Sequence, residues 1–292
     1  ESAELGIEGF YVGYYEDNGY TRASPAIRRA VREAAEILRA RGASVAPFTP
    51  PDVGESMRLF LSIMTADGAL MFKRALGDNS PDPRVKDLLT AAGLPRALRP
   101  LIAKVMELRG QHYTASMVRW MGRRSKQEYS KLLQELDEYR QRFLAEMDED
   151  HVDLLLSPPY ALPAFQHGAS KRLFPALSYS LLYNVLGYPA GVVAATRVRD
   201  GEESDRPLSK DSYEIAATEA EQGSAGLPVG VQVAARPWRE DIVLAAMSAL
   251  EKEYEKRPDY PLRLRARGST GWNSPGVARD QVRPRVIEFL RR

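Results

Sequence analysis

A strand, a helix and a second strand follow one another within the first fifty residues, and this order restricts the possible folds more than any other feature. Residues 10–15 form a β-branched and aromatic run that ends in turn-forming residues. Ser24 and Pro25 supply a helix N-cap and a first-turn proline, and apolar residues then recur at helical spacing as far as Gly42. Residues 43–48 form the second strand. This pattern predicts two parallel strands joined by a right-handed crossover.

The rest of the chain continues the alternation of helices and strands. It predicts an α/β fold with a mixed, mostly parallel sheet that carries helices on both faces. Residues 55–124 have helical character throughout. The later predicted elements are helices over 125–147, 177–186 and 240–256, and strands over 153–157, 190–196 and 229–235. The polar stretch 199–225 is interpreted as a surface excursion.

Charge separates a mildly acidic body from a basic C-terminal tail. The net charge is +2, yet the segment from Lys256 to Arg292 contains ten basic and three acidic residues. Basic tails can bind nucleic acid or acidic lipid, but most are solvated. We therefore predict a domain over residues 1–256 and a disordered basic tail over 257–292, with no nucleic-acid partner.

Composition also limits the compartment and the cofactors. The chain has no cysteine, which excludes disulfides and cysteine-ligated metals and fits a reducing compartment such as the cytoplasm. No apolar run has the length of a spanning helix, and no signal-peptide pattern opens the chain. The histidines His112, His151 and His167 lack metal-ligand spacing. We expect neither a metal nor an organic cofactor.

The sequence offers no recognisable nucleophile of its own. A catalytic serine needs a neighbouring base and oxyanion donors, which commonly come from a tight glycine-rich turn. No Gly-x-Ser-x-Gly motif occurs, and the pairs Gly223-Ser224 and Gly268-Ser269 lie in polar segments without a strand leading into them. We therefore expect no catalytic residue in this chain.

Three motifs in the last third of the domain resemble the closing half of a known enzyme family. They are Tyr183-Asn-Val-Leu-Gly-Tyr-Pro-Ala-Gly191, Gly226-Leu-Pro-Val-Gly-Val-Gln232 and Arg236-Pro-Trp238. Together they resemble the amidase signature family of serine hydrolases, which cleave linear amides, and its fatty acid amide hydrolase branch in particular. The resemblance runs from about Tyr11 to Lys252. It implies that residues 1–256 correspond to the C-terminal portion of an amidase signature domain.

This resemblance also implies where the chemistry would come from. In the family, the nucleophilic serine, a bridging serine and a lysine base lie in the first half of the fold, in a stretch rich in serine and glycine. No such stretch occurs in this chain. The intact protein is therefore expected to hydrolyse a linear amide with an apolar, fatty acyl group. This chain would supply the substrate channel without the Ser-Ser-Lys residues.

The resemblance implies six residues that line the acyl channel. The predicted substrate-binding residues are Leu177, Leu181, Trp238, Met117, Met121 and Leu88. Met117 and Met121 are four residues apart and would share a helix face, where flexible thioethers suit variable acyl chains. The alternative is that all six belong to the hydrophobic core, since apolar residues at helical spacing usually do.

Residues 94–105 form a basic amphipathic segment that matches the membrane cap of fatty acid amide hydrolases. Its apolar stripe is Leu94, Leu98, Leu101, Ile102 and Val105. Arg96, Arg99 and Lys104 lie off the stripe, a pattern that suits interfacial binding better than spanning. Peripheral membrane contact is therefore predicted. The alternatives are packing against its own domain or a homodimer.

Two other functional classes remain open. The chain could be a non-catalytic acyl-binding protein, either a pseudoenzyme or one subunit of a split amidase. Within the family, it could be the glutamyl-tRNA amidotransferase A-type subunit. The Tyr14-Tyr15 opening, the Leu182-Tyr-Asn184 helix and the Pro237-Trp238 pair argue against that second alternative.

Overall fold

The computed structural model describes residues 6–261 of the 292-residue chain. Within that range, the side chains of Pro83, Arg84, Asp87, Leu88 and Ala91 are outside the description. The described residues form one compact unit. Most of the predicted tail, residues 262–292, lies outside the described residues.

The described strands form one five-stranded sheet in the order β2-β1-β3-β5-β4. The strands are β1 (Tyr11–Tyr14), β2 (Ser44–Pro47), β3 (Leu154–Ser157), β4 (Ala190–Arg197) and β5 (Pro228–Ala235). β1 pairs in parallel with both β2 and β3, whereas β5 runs antiparallel to β3 and to β4. Four strands therefore point the same way and β5 is reversed, which confirms the predicted mixed sheet.

Ten α-helices lie within the described range, together with three short 3-10 helices at Arg96–Leu98, Ala169–Arg172 and Phe174–Leu177. The α-helices are α1 (Pro25–Ala40), α2 (Val53–Met64), α3 (Leu70–Leu76), α4 (Pro83–Gly93), α5 (Arg99–Leu108), α6 (His112–Trp120), α7 (Lys126–Glu149), α8 (Ser178–Leu186), α9 (Ser212–Glu221) and α10 (Glu240–Tyr254).

Helices cover both faces of the sheet, as the sequence predicts. α1 and α10 pack against the strands and against each other on one face. The glycine of β4 at position 191 faces α10 so closely that an added Cβ would lie 2.3 Å from Met247 Sδ. On the other face, Tyr183 of α8 hydrogen-bonds to Ser157 of β3. α7 contributes the buried Phe143, whose ring contacts Phe48 after β2.

The glycine-rich motif before Gln232 has a structural explanation. Pro228 is the first residue of β5, the one strand position where a missing N–H is easily tolerated. A Cβ at Gly230 would lie 2.7 Å from the carbonyl oxygen of Val193, beside the irregularity between Ala194 and Thr196 in β4. Only glycine permits this close approach of the two strands.

The interpretation of residues 199–225 as a simple surface excursion is wrong. This stretch contains α9, whose Tyr213, Ala216 and Ala217 are buried. The side chain of Arg206 is also buried and pairs with Glu221 at 3.0 Å and Glu214 at 2.8 Å. Polar residues can lie inside when each charge is paired and hydrogen-bonded. The mean polarity of residues 199–225 therefore gives a wrong indication of how this segment is buried.

The compact unit extends a few residues past the predicted boundary at residue 256. Tyr260 is buried, and Arg257 pairs with Glu33 of α1. The carboxylate of Asp259 accepts a hydrogen bond from the Thr196 hydroxyl at 2.6 Å. The first residues of the predicted tail are thus packed on the domain.

Candidate substrate site

Helix α8 is fixed to the domain through a buried set of hydroxyl groups. The Tyr183 hydroxyl lies 2.9 Å from that of Tyr15 and 3.2 Å from that of Ser157. Burial raises the pKa of Tyr15 and of Tyr183 far above the ordinary tyrosine range, so both remain protonated. At the start of the helix, the Asn18 amide donates to the Ser178 hydroxyl at 2.9 Å.

Leu177 and Leu181 lie on the outer side of this helix. Tyr179, Leu182 and Tyr183 are buried toward the domain, whereas Leu177 and Leu181 are half-buried and Asn184 is exposed. Leu177 ends the short helix Phe174–Leu177, and Leu181 follows it by one turn. These two predicted residues are therefore neighbours on a partly open surface rather than in the closed core.

Met117 and Met121 belong to a small apolar cluster separate from the main core. Met121 is 1% exposed and packs with Leu61 and Ala69, and the half-buried Met117 adjoins the same cluster. Phe174 also packs against this cluster. Since Phe174 is three residues before Leu177, the cluster reaches the chain segment that leads into α8. Sequence reasoning missed Phe174, whose only signal is its position before Pro175.

Trp238 lies elsewhere, between β5 and α10. Its side chain is 88% exposed, and its backbone has a φ of +66°. The adjacent Arg236 fixes the turn, because its guanidinium donates to the carbonyl oxygens of Val152 at 2.9 Å and Met147 at 3.0 Å. Leu88, the sixth predicted residue, belongs to α4, and its side chain lies outside the described residues.

Gln232 is a buried polar residue on the sheet face that carries α8. It pairs across the strands with Ser157 on one side and with Val192 on the other. Gln232 is 4% exposed, and its Oε1 has no hydrogen-bond partner within the described part of the chain. Its neighbour Val192 is 53% exposed. The sheet face is therefore covered over β1 and β3 and open over β4.

Several serine hydroxyls within residues 6–261 hydrogen-bond to other polar groups of the domain, as Ser157 does to Tyr183 and Ser178 to Thr21. None of the described serine hydroxyls hydrogen-bonds to a histidine, and Lys131 and Lys256 pair with glutamates. No group of three potential metal-binding side chains lies together among the same residues. The described helices include none with the length and apolar character needed to cross a bilayer.

Comparison with known proteins gives consistent matches over most of the chain. The sequence profile of the amidase family matches residues 3–244. The chain is 32% identical over 244 residues to fatty acid amide hydrolase 1 of Caenorhabditis elegans, and 31% identical over 246 residues to fatty-acid amide hydrolase 1 of Sus scrofa. Each alignment covers 82% of this chain and 42% of the relative.

A solved structure of a fatty acid amide hydrolase has the same fold. The superposition has a TM-score of 0.63 at 21% identity and covers 85% of this chain and 41% of the other. This chain thus spans less than half the length of the relatives that it matches.

Proposed function

This chain belongs to the amidase family, and from that premise we propose that it forms the acyl-channel part of a hydrolase that cleaves linear amides with a fatty acyl group. The observation that carries this proposal is the sustained identity to two fatty acid amide hydrolases over 82% of the chain. In this proposal, the Ser-Ser-Lys residues of the family come from protein outside this chain.

The surface around α8 supports a channel role for Leu177 and Leu181. Both side chains are half-buried, and the hydroxyl bonds of Tyr183 and Ser178 hold the helix that carries them. A fixed apolar surface suits an acyl chain, because each buried methylene contributes about 0.8 kcal/mol. The half-buried Met117 would extend this surface through Phe174, with Met121 packed behind it, and Trp238 and Leu88 complete the proposed set.

Two samples test the proposal: the purified chain alone, and a chimera in which the remaining part of the Caenorhabditis elegans relative precedes it. Each is given a hexadecanoyl amide, a butanoyl amide and a fluorophosphonate probe for activated serines. The chain alone should neither turn over amide nor become labelled. The chimera should be labelled and should prefer the hexadecanoyl amide.

Turnover or stoichiometric labelling of one serine in the chain alone would contradict the absence of a nucleophile. A labelled chimera that hydrolyses both amides with equal kcat/KM would contradict the fatty acyl assignment. A chimera that lacks labelled serine yet retains a fatty acyl ligand would favour the second candidate, a non-catalytic acyl-binding protein.

The exposed side of α5 supports membrane contact as part of the same proposal. Leu94, Ile102 and Met106 pack toward a small cluster formed by the buried Ala103 of α5 and the buried Ala115 and Val118 of α6. The opposite side presents Leu98, Leu101, Val105 and Leu108, and Leu101 is 65% exposed. An apolar face of this kind on a basic helix suits the bilayer interface. A homodimer through the same face is the alternative.

A further inference from the structure

A pocket of about 470 Å³ lies where α2, α5, α6 and α7 meet, and Trp120 in its wall also packs against the cluster that contains Met117 and Met121. Its walls carry an excess of positive charge. The cationic lining residues are Arg58, Arg96, Arg99, Arg119, Arg124 and Lys131. Only two carboxylates, Glu128 and Glu135, line the same pocket.

Ion pairs inside the domain satisfy four of these cations. Arg58 and Lys131 lie 2.8 Å and 3.9 Å from Glu135. Arg96 pairs with Glu128, and Arg119 pairs with Glu107. Arg99 and Arg124 differ, since no carboxylate of the described chain lies within ion-pair distance of either. Neither guanidinium is therefore part of an ion pair, although Glu128 attracts Arg124 from a longer distance.

Arg99 is the more unusual of the two because it is 4% exposed. Its Nη2 donates to the carbonyl oxygens of Leu94 at 2.7 Å and Ala92 at 3.2 Å, near the end of α4. Its Nη1 is buried and has no hydrogen-bond partner. Burial, with Arg124 and Arg96 nearby, lowers the pKa of Arg99. A buried guanidinium donor without an acceptor is unfavourable unless something else supplies one.

The backbone around Arg99 leaves room for its guanidinium. Gly122 has a φ of +112°, and a Cβ there would lie 1.6 Å from Arg99 Nη1. The Gly122 amide donates to the Thr65 hydroxyl at 2.7 Å, which holds the loop in place. Arg124 follows two residues later and donates from Nη2 to the Trp120 carbonyl oxygen at 2.8 Å. Both guanidinium groups are thus positioned without any bound molecule.

We propose that this pocket binds a phosphate group through Arg124, with Arg96 at its exposed edge and the buried positive charge of Arg99 behind them. Guanidinium groups are planar donors that match phosphate oxygens in pairs, and a multiply charged anion can neutralise two of them at once. The phosphate could belong to a lipid head group or to a small molecule in solution. Leu98 and Leu101 are exposed beside Arg99, which makes a lipid head group accessible. The inference does not depend on amidase activity.

Thermal stability of the amidase chimera in increasing inorganic phosphate tests the shared chemistry, with ionic strength held constant by sodium chloride. The melting temperature should rise saturably, because a ligand that binds only the folded state stabilises it. Arg124→Gln should weaken the apparent affinity about tenfold, as expected for one lost charge-assisted contact.

Arg123→Gln is the matched control, because Arg123 is exposed, adjacent in sequence and not part of the pocket. It should leave phosphate affinity unchanged. Arg124→Lys keeps the charge but not the planar donors, so it should also weaken binding. This variant keeps the test valid if the glutamine variant fails to fold. Equal effects of the changes at 123 and 124, or no saturable stabilisation, would overturn the proposal.

Vesicles then distinguish the two sources of phosphate. Vesicles of phosphatidylcholine with and without phosphatidic acid are sedimented with the amidase chimera and with both of its glutamine variants. If phosphatidic acid increases retention, and Arg124→Gln but not Arg123→Gln abolishes the increase, the source is a lipid head group. If inorganic phosphate binds and phosphatidic acid has no Arg124-dependent effect, the source is a phosphate in solution.

Discussion

Trp238 has two properties that are each costly in a folded chain. Its indole is 88% exposed, and its backbone adopts a left-handed conformation with a φ of +66°. Such a conformation costs a bulky residue about 1–3 kcal/mol and persists only where the surrounding structure enforces it. Here Arg236 supplies that restraint through its bonds to the end of α7. The turn therefore presents the indole to solvent and not to the core.

We expect Trp238→Ala in the amidase chimera to reduce kcat/KM for the hexadecanoyl amide about tenfold more than for the butanoyl amide. The indole would contact carbons that the short substrate lacks, and each lost methylene contact costs about 0.8 kcal/mol. Steady-state kinetics with both substrates measure this difference. The melting temperature should stay nearly unchanged, because substitutions of exposed residues seldom affect stability.

Leu244→Ala, an exposed position on α10, serves as the control for Trp238→Ala. It should change neither the kinetics nor the melting temperature. Equal losses for both chain lengths in Trp238→Ala would show that the indole does not line the channel.

At the level of elements, α5 joins two surfaces of opposite character. Its exposed side carries leucines, and its first residue, Arg99, is buried in the cationic pocket. The predicted stripe included Leu94 and Ile102, which instead pack toward α6. Leu108 replaces them on the exposed side with an exposed fraction of 77%. The helix is thus fixed from beneath by α6 and open on its outer surface.

We expect the double substitution Leu101→Ser and Leu108→Ser to reduce retention of the chain on neutral phosphatidylcholine vesicles by about tenfold or more. Burial of two leucine side chains in the bilayer contributes about 3–6 kcal/mol, which the change largely removes. The control is the double substitution Leu208→Ser and Leu244→Ser, which alters exposed leucines elsewhere. Sedimentation with vesicles is the measurement. Loss of a dimer instead of vesicle binding would favour the homodimer.

Local pattern was sufficient for the five strands and for helices α1, α7, α8 and α10. Helix α1 begins at Pro25 and ends before Gly42. All five strands lie where the residue pattern and the neighbouring turn-forming residues predict them. Helix α9 was missed because it depends on burial of Arg206 against Glu221, a pairing that periodicity cannot reveal. Arg99 was interpreted as a surface charge for the same reason, since its acceptors are the main-chain oxygens of Leu94 and Ala92.

The candidate site shows a second limit of sequence reasoning. Met121 and Trp238 are both large and apolar, yet one is 1% exposed and the other 88%. Spacing along a helix indicates which residues share a face, but contacts between distant segments decide whether that face is closed. Met121 is buried against Leu61 and Ala69, whereas no described apolar cluster includes Trp238.

On the scale of the whole molecule, the sheet is unequally covered. β4 is an edge strand among the described strands, and its inner face is buried beneath α10. Its other face leaves Ala190, Val192 and Ala194 exposed. An unpaired strand edge beside an exposed apolar face favours association between chains. The proposed complementary part of the amidase would cover this surface.

We expect the chain alone to aggregate or to bind hydrophobic dyes, and Val192→Lys to reduce both effects. A lysine on this edge opposes strand pairing between chains. Light scattering and dye fluorescence measure the change. Leu208→Lys is the control, because that residue is fully exposed outside the sheet and should have no effect. A monodisperse monomer of the unchanged chain with a sharp thermal transition would contradict this expectation.

The reversed strand β5 has a consequence for the order of events during translation. β3 is paired with β1 on one side, but its other side cannot pair until β5 has been synthesised. Ser157 of β3 lies opposite Gln232 of β5, about 75 residues later in the chain. At ribosomal rates of roughly 5–20 residues per second, this delay lasts about 4–15 s. Helix α1 contacts β5 more than it contacts any other strand, so its packing is also completed only after β5 has been synthesised. Destabilising substitutions in β5 should therefore lower the yield of newly synthesised folded protein more than they lower the melting temperature of the molecules that have folded.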